Sequence, residues 1–149
     1  MIPGGLTPHA ASLLLSVFAL AALTAVMMLW MYATRLPAMQ RAGLDPQAAA
    51  HTAALRGKLP ASAERVADNY NHLTEAPTVF YAVALGIVAM GAADQIHVCA
   101  AWAYVGLRAT HSLVQATVNR VTLRFVLFSL SWAVLILMIG RVLATALQP

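Results

Sequence analysis

The stretch that decides the fold runs from residue 64 to residue 77 and reads ERVADNYNHLTEAP. It opens an apolar segment, yet ionisable side chains recur in it at helical spacing: Arg65, Asp68, His72 and Glu75. At 100° per residue, these four fall within an arc of about 80° on one face of a helix. Ionisable groups at membrane depth cost several kcal/mol unless they face protein or water. The stretch therefore predicts a membrane helix whose polar stripe faces the protein interior.

A second polar stripe lies on the next apolar segment and consists of Tyr104, Arg108, His111, Gln115 and Asn119. Its last four members also fall within about 80° of arc. Two such stripes predict a polar pocket between helices, suited to a polar, zwitterionic molecule. The residues leave one alternative open, in which the stripes satisfy one another as an ion network that holds the helices together. In both interpretations Asp68 and Glu75 are the candidate partners of Arg108, because a buried guanidinium needs one.

The composition is that of an integral membrane protein. Of the 149 residues, 61% are hydrophobic and 9% are charged, whereas a soluble domain has about 25% charged residues. At roughly 20 residues per span, the length accommodates four membrane helices and short loops. The pI near 9.8 does not indicate nucleic-acid binding, because the basic residues flank the apolar segments as topology signals do.

We predict an all-α bundle of four transmembrane helices in a single domain, residues 1–149. The helices are placed at residues 9–34, 62–92, 95–119 and 122–147. Arg35 and Pro37 are expected to end the first helix, and Pro77 is expected to kink or unwind the second. Ser62 and Asp94 are expected to cap the second and third helices.

The longest polar stretch is the loop over residues 35–61. Through Arg65 it carries five Lys or Arg residues, and Arg120 and Arg124 flank the last link. The positive-inside rule therefore places both basic loops in the cytoplasm and both termini outside, so the pocket would open to the cytoplasm. Within the loop, residues 48–55 are compatible with a short surface helix and equally with a flexible connector.

A metal site and ion transport receive little support. His72, Glu75, Asp68 and His111 are conceivable zinc ligands, but the His-x-x-Glu spacing of metal-binding bundles occurs once, and those sites need two copies. Many secondary transporters show broken half-helices or inverted repeats, which are not evident in this sequence. The sequence therefore predicts no metal.

The stretch 64–77 resembles the second helix of the MAPEG family, the membrane-associated proteins in eicosanoid and glutathione metabolism. The family pattern opens with Glu-Arg-Val, continues with polar residues, an Asn and a Glu, and is often followed by Pro. Residues 108–120, RATHSLVQATVNR, resemble the end of the third helix in bacterial members. The four-span layout and the chain length agree, so the resemblance covers nearly the whole chain.

The resemblance implies a homotrimer that binds glutathione between neighbouring subunits near the cytoplasmic side. It implies that an Arg at the start of the fourth helix stabilises the glutathione thiolate, with Arg124 as first choice and Arg120 as second. Glu75 would receive the amino group of the peptide, and Arg65 would face a carboxylate. The other candidates for binding are Arg35, Asp68, Asn71, His72, Arg108, His111, Gln115 and Asn119. Of these, Asp68 and His72 stand where family members usually have Arg and Asn.

The function implied by the resemblance is that of a glutathione-dependent transferase or peroxidase in a bacterial inner membrane. It would join a thiol to a lipophilic electrophile, and its partners would be membrane lipids, that small molecule and other copies of itself. An alternative is a non-catalytic protein that acts as the accessory subunit of a larger membrane complex or as a lipid-binding module. Asp68 favours this alternative, because it lets the charges of the second helix balance without a ligand.

Overall fold

The computed structural model describes residues 5–45, 47, 55–75 and 77–147. These ranges contain five helices and no strand: α1 (Pro8–Arg41), α2 (Ala61–Glu75), α3 (Thr78–Ala89), α4 (Gln95–Ala116) and α5 (Val121–Ala146). The helices α2 and α3 follow one another in the second pass, so the chain forms a bundle of four passes. The surface helix considered for residues 48–55 lies almost entirely outside the described residues.

Three stretches of the described residues are long and apolar enough to cross a membrane, namely Pro8–Arg41, Ala61–Ala89 and Val121–Ala146. The helix α4 has 22 residues, or about 33 Å at 1.5 Å per residue, which matches a hydrocarbon core of about 30 Å. It is less apolar because it carries His97, Arg108 and Gln115, and all three are buried inside the bundle. The prediction of an all-helical integral membrane bundle is confirmed.

The first helix is longer than predicted. It continues through Arg35 and Pro37 and ends seven residues past the expected exit at residue 34, so that expectation was wrong. A proline inside a helix forfeits one backbone hydrogen bond. Burial offsets this loss, because Ala38 and Met39 pack in an apolar cluster with the start of α2 and the segment before it.

The start of α2 also differs from the prediction. The helix begins at Ala61, and the carbonyl of Pro60 accepts a hydrogen bond from the backbone N–H of Glu64 at 3.2 Å. The cap predicted at Ser62 was therefore wrong, because Ser62 lies inside the first turn. The Glu64 carboxylate instead accepts a hydrogen bond of 2.6 Å from the backbone N–H of Gly57. Gly57 has φ +77°, a conformation that glycine adopts at little cost.

Pro77 separates α2 from α3, as expected. The helix α2 ends at Glu75 and α3 begins at Thr78, and the carbonyl of Pro77 accepts a hydrogen bond from the N–H of Tyr81 at 3.0 Å. The polar stripe thus belongs entirely to α2, whereas α3 contains no charged residue.

Two apolar clusters fix the orientation of the helices. The larger one joins α1, α3, α4 and α5 through Leu13, Leu20, Phe80, Ala84, Ile87, Ala100, Ala101, Tyr104, Val105, Leu135 and Met138. The smaller one joins α1, α2 and α4 through Met27, Met31, Val66, Ala67, Leu73 and Ala116. Because the apolar face of α2 is buried in the second cluster, its polar face is turned away from α1.

At the opposite end of the bundle, Asp94 caps α4 as predicted. Its carboxylate accepts a hydrogen bond of 2.8 Å from the backbone N–H of His97. The other carboxylate oxygen accepts from Arg141 of α5, whose Nε lies at 3.0 Å and whose Nη2 also donates. Chiefly through the hydrogen bond from Arg141, these contacts lower the pKa of Asp94 from 3.8 to about 2. Asp94 therefore ties the start of α4 to the end of α5.

Candidate functional site

The helices α2, α4 and α5 and the segment before α2 line an open polar cavity of about 360 Å³. Its walls consist of Arg56, Arg65, Asp68, Asn71, His72, Glu75, Gln115, Asn119 and Arg124. Eight of these nine residues are ligand or catalytic candidates from the sequence. The ninth, Arg56, was not predicted. The two polar stripes therefore meet at one cavity, as expected. That these residues bind a ligand stays a prediction.

Arg124 is held in the cavity wall by the turn between α4 and α5. Its Nη1 donates a hydrogen bond of 2.7 Å to the side-chain oxygen of Asn119. Asn119 has φ +51°, a left-handed conformation that Asn tolerates better than most residues. Its backbone N–H donates to the carbonyl of Val114 at 2.7 Å. The turn thus fixes the side-chain amide of Asn119, and this amide in turn fixes the guanidinium of Arg124.

Arg108 lies behind the cavity wall and is only 1% exposed. Its guanidinium carbon lies 6.0 Å from the centroid of the Phe128 ring. Within the part of the chain that the structure describes, none of its three side-chain nitrogens has a hydrogen-bond partner. The expected pairing of Arg108 with Asp68 or Glu75 is wrong. Both carboxylates are exposed in the cavity wall, whereas Arg108 packs deeper, against α5.

Two histidine rings lie beside this guanidinium, tilted by 35° to one another. The ring centroids of His72 and His111 are 5.1 Å apart, and they lie 5.5 Å and 6.5 Å from that of Phe128. His72 lines the cavity, while His111 is 2% exposed behind it. Among the described residues, neither Nε2 of His72 nor Nδ1 of His111 has a hydrogen-bond partner. Buried polar nitrogens are costly to leave unpaired.

The charges of the cavity do not neutralise one another by direct contact. Among the described residues, the acid–base contacts within 4.0 Å are those of Asp94 with Arg141 and with His97, at the other end of the bundle. The cavity wall keeps three guanidinium groups and two carboxylates, none of which forms an ion pair with a side chain of the described ranges. The alternative of a self-satisfied ion network is therefore not supported.

Comparison with known families agrees with this arrangement. The model of the MAPEG family matches residues 13–144, nearly the whole chain. The chain belongs to the MAPEG family. No curated protein matches it significantly, and no solved structure does so. Membership supports a membrane protein of the family of glutathione and eicosanoid metabolism. It does not specify the activity of this MAPEG chain.

The remaining two candidates of this MAPEG chain lie away from the polar cavity. Arg35 lines a neighbouring cleft of about 140 Å³ between the end of α1 and α2, which shares three lining residues with the cavity. Arg120 occupies the N-cap position of α5, where it is exposed. Of the two arginines at the start of α5, Arg124 is therefore the one that could contact a ligand in the cavity.

Sequence reasoning missed Arg56 in the cavity wall, and it missed the buried amide of Asn69, which does not line the cavity. Arg56 reaches the cavity from the loop before α2, where no helical periodicity could reveal its direction. Asn69 lies on α2 with 0% exposure, and its side-chain amide has no hydrogen-bond partner in the described ranges. Asn69 belongs to the quoted stretch 64–77, but helical periodicity did not single it out because it lies outside the arc of the polar stripe.

The groups in the wall match a zwitterionic ligand with more negative than positive charge. Guanidinium groups bind carboxylates with paired hydrogen bonds, and the two wall carboxylates can accept an ammonium group. Three arginines against two carboxylates leave a positive excess in the wall. Among the described residues, no three His, Cys, Asp or Glu side chains are placed to hold a metal ion together.

Proposed function

We propose that this MAPEG protein is a membrane-bound, glutathione-dependent transferase or peroxidase that joins a thiol to a lipophilic electrophile. The observation that carries the proposal is the presence of Arg124 in the wall of one polar cavity with Glu75 and Gln115. Glutathione carries two carboxylates, one ammonium group and one thiol. The wall offers arginines for the carboxylates, Glu75 for the ammonium group and neutral amides for the peptide bonds.

Arg124 would supply the activation. A thiol with a pKa near 8.5 is mostly protonated at neutral pH, and an adjacent guanidinium favours the nucleophilic thiolate. Because Asn119 holds the guanidinium at 2.7 Å, its charge is already in position when the thiolate forms, which is the requirement for electrostatic stabilisation. The thiolate then attacks the electrophilic carbon, a carbon–sulfur bond forms, and the leaving group departs with its electron pair.

The second reactant would arrive from the bilayer. The face of α5 around Arg124 is apolar, since Val121 and Phe125 are 72% and 69% exposed. A lipophilic electrophile dissolved in the acyl chains can therefore reach the edge of a polar cavity without entering water. We further expect a homotrimer in a bacterial inner membrane, with the cavity at a seam between subunits, and light scattering in detergent would measure the mass of the assembly.

The test uses the full chain purified in detergent. We expect millimolar glutathione to raise the thermal unfolding midpoint, because a ligand that binds the folded state stabilises it. We also expect conjugation of glutathione to chlorodinitrobenzene above the uncatalysed rate. A protein that shows neither effect would refute the proposal and favour the accessory or lipid-binding alternative.

A further inference from the structure

Among the described residues, His72 is the only histidine in the wall of the polar cavity. Its ring is confined on the other side by His111, at 5.1 Å between centroids, and by Phe128, at 5.5 Å. Its Nε2 is buried and has no hydrogen-bond partner in the described ranges. The ring is thus held by packing, and no described residue makes a hydrogen bond to its Nε2.

The proposed function needs a destination for the proton of the thiol. Arg124 stabilises the thiolate by charge, but a guanidinium is already protonated and cannot accept a proton. A neutral imidazole can, and histidine ordinarily titrates near pH 6.5, so that it accepts protons at neutral pH. His72 and Arg124 line the same cavity. A thiol bound there would have both a proton acceptor and a group that stabilises the thiolate in the cavity wall.

We propose that His72 is the general base that takes the proton from the thiol bound at Arg124, an inference that rests on the proposed function. The S–H bond breaks, the proton passes to an imidazole nitrogen of His72, and the electron pair stays on sulfur. The carbon–sulfur bond then forms. The imidazolium returns its proton to an alkoxide when an epoxide opens, or to water when a halide leaves.

Of the charged groups around His72, Glu75 favours the imidazolium, whereas Arg108 and Arg124 favour the thiolate and oppose the imidazolium. Glu75 lies three residues along α2, on the same face, and offers its carboxylate to the imidazolium. The guanidinium groups of Arg108 from α4 and Arg124 from α5 offer positive charge to the thiolate. His111 is the remaining titratable group that faces the ring. An ion pair of thiolate and imidazolium is therefore surrounded by charges of both signs.

The first experiment needs only the wild-type protein. Glutathione binding is measured by calorimetry in two buffers of different ionisation enthalpy, which counts protons released, while ultraviolet absorbance counts thiolate formed. We expect well under one proton released per thiolate at neutral pH, because His72 retains it. Release of about one proton per thiolate would overturn the inference, since the proton would then have passed to solvent.

The second experiment compares His72→Gln with His9→Gln, a matched control in which an exposed histidine at the start of α1 is changed. We expect His72→Gln to conjugate about a hundredfold more slowly at neutral pH and to approach the wild-type rate as the pH rises. Glutathione affinity is expected to change less than threefold, and His9→Gln is expected to leave the rate unchanged.

The outcomes separate the two proposals. If the wild-type protein binds and conjugates glutathione and His72→Gln does so at the same rate, the general base is rejected while the proposed function stands. If the wild-type protein neither binds nor conjugates glutathione, both are rejected. A purely structural role of His72 would lower stability without moving the pH profile or the proton count, so that result also overturns the inference.

Discussion

The guanidinium of Arg124 and the side-chain amide of Asn119 are joined by a hydrogen bond of 2.7 Å. The two residues belong to different parts of the fold, the first turn of α5 and the turn that follows α4, and both line the polar cavity. The position of the charge proposed to activate the thiol therefore depends on the geometry of a turn as well as on a helix. Each residue can be changed separately, which gives two predictions.

Replacing Arg124 by Ala should lower kcat for conjugation by about 10² to 10³, the usual effect of removing one stabilising donor from a developing anion. The unfolding midpoint should change little, because Arg124 is only partly buried. Conjugation kinetics in detergent measure the first effect and thermal unfolding the second. Arg41→Ala, at the exposed end of α1, is the control. A larger loss of kcat in Arg120→Ala than in Arg124→Ala would show that Arg120, and not Arg124, stabilises the thiolate.

Asn119 has two separable roles, the turn and the support of Arg124. Asn119→Ala should destabilise the fold by roughly 1 kcal/mol, because Ala lacks the polar side chain through which Asn tolerates the left-handed conformation at φ +51°,. Asn119→Gly should avoid this strain but still lose the hydrogen bond to Arg124, so that stability is kept while kcat falls. Denaturation midpoints and conjugation rates of the two variants distinguish these effects. Equal rates in Asn119→Gly and the wild type would mean that Arg124 needs no support.

Asp94 should stabilise the opposite end of the bundle through its cap and its charge. Asp94→Asn keeps a capping side chain and loses the pair with Arg141, which should cost less than about 1 kcal/mol, because both side chains are 39% exposed. Asp94→Ala also loses the cap, at about 1 kcal/mol more. Thermal unfolding in detergent measures the difference, and similar midpoints for the two variants would assign all the stabilisation to the charge.

The same residue predicts a dependence on pH. The folded-state pKa of Asp94 is about 2 and its ordinary value is 3.8, so its ionised form is stabilised by folding. The contribution is therefore complete above pH 3.8 and is lost as the pH falls toward 2. His97, whose Nδ1 lies 3.0 Å from the carboxylate, and Arg141 are the groups that face it. In Asp94→Asn this part of the acid sensitivity should disappear from the unfolding curves.

Arg108 should lower the free energy of unfolding of the protein. Its guanidinium is 1% exposed and has no hydrogen-bond partner among the described residues. A buried charge without a partner carries an uncompensated desolvation cost of several kcal/mol, and an apolar side chain of similar size removes that cost. We expect Arg108→Met to raise the unfolding midpoint of the free protein and to lower conjugation. A clear drop in the midpoint would mean that the folded protein supplies a partner for this charge.

The helix stripes were predictable because they are local patterns. Hydropathy and a 3.6-residue period depend only on neighbours in sequence, and they sufficed for the membrane bundle, for the polar face of α2 and for the break at Pro77. The cap at Asp94 is equally local. The end of α1 was not predictable in this way, since burial of Ala38 and Met39 against a distant segment carries the helix past Pro37.

Helical periodicity was enough to show that charged residues inside this membrane protein line one face of each of two helices. Which of these residues share a cavity wall depends on how the helices pack. The tertiary structure brought Arg56 and Arg124 into the same cavity wall as Glu75, and it set Arg108 behind that wall against Phe128 instead of on a carboxylate. The physical reason is that the depth and rotation of a helix are set by apolar packing with all of its neighbours, which periodicity within one helix does not encode.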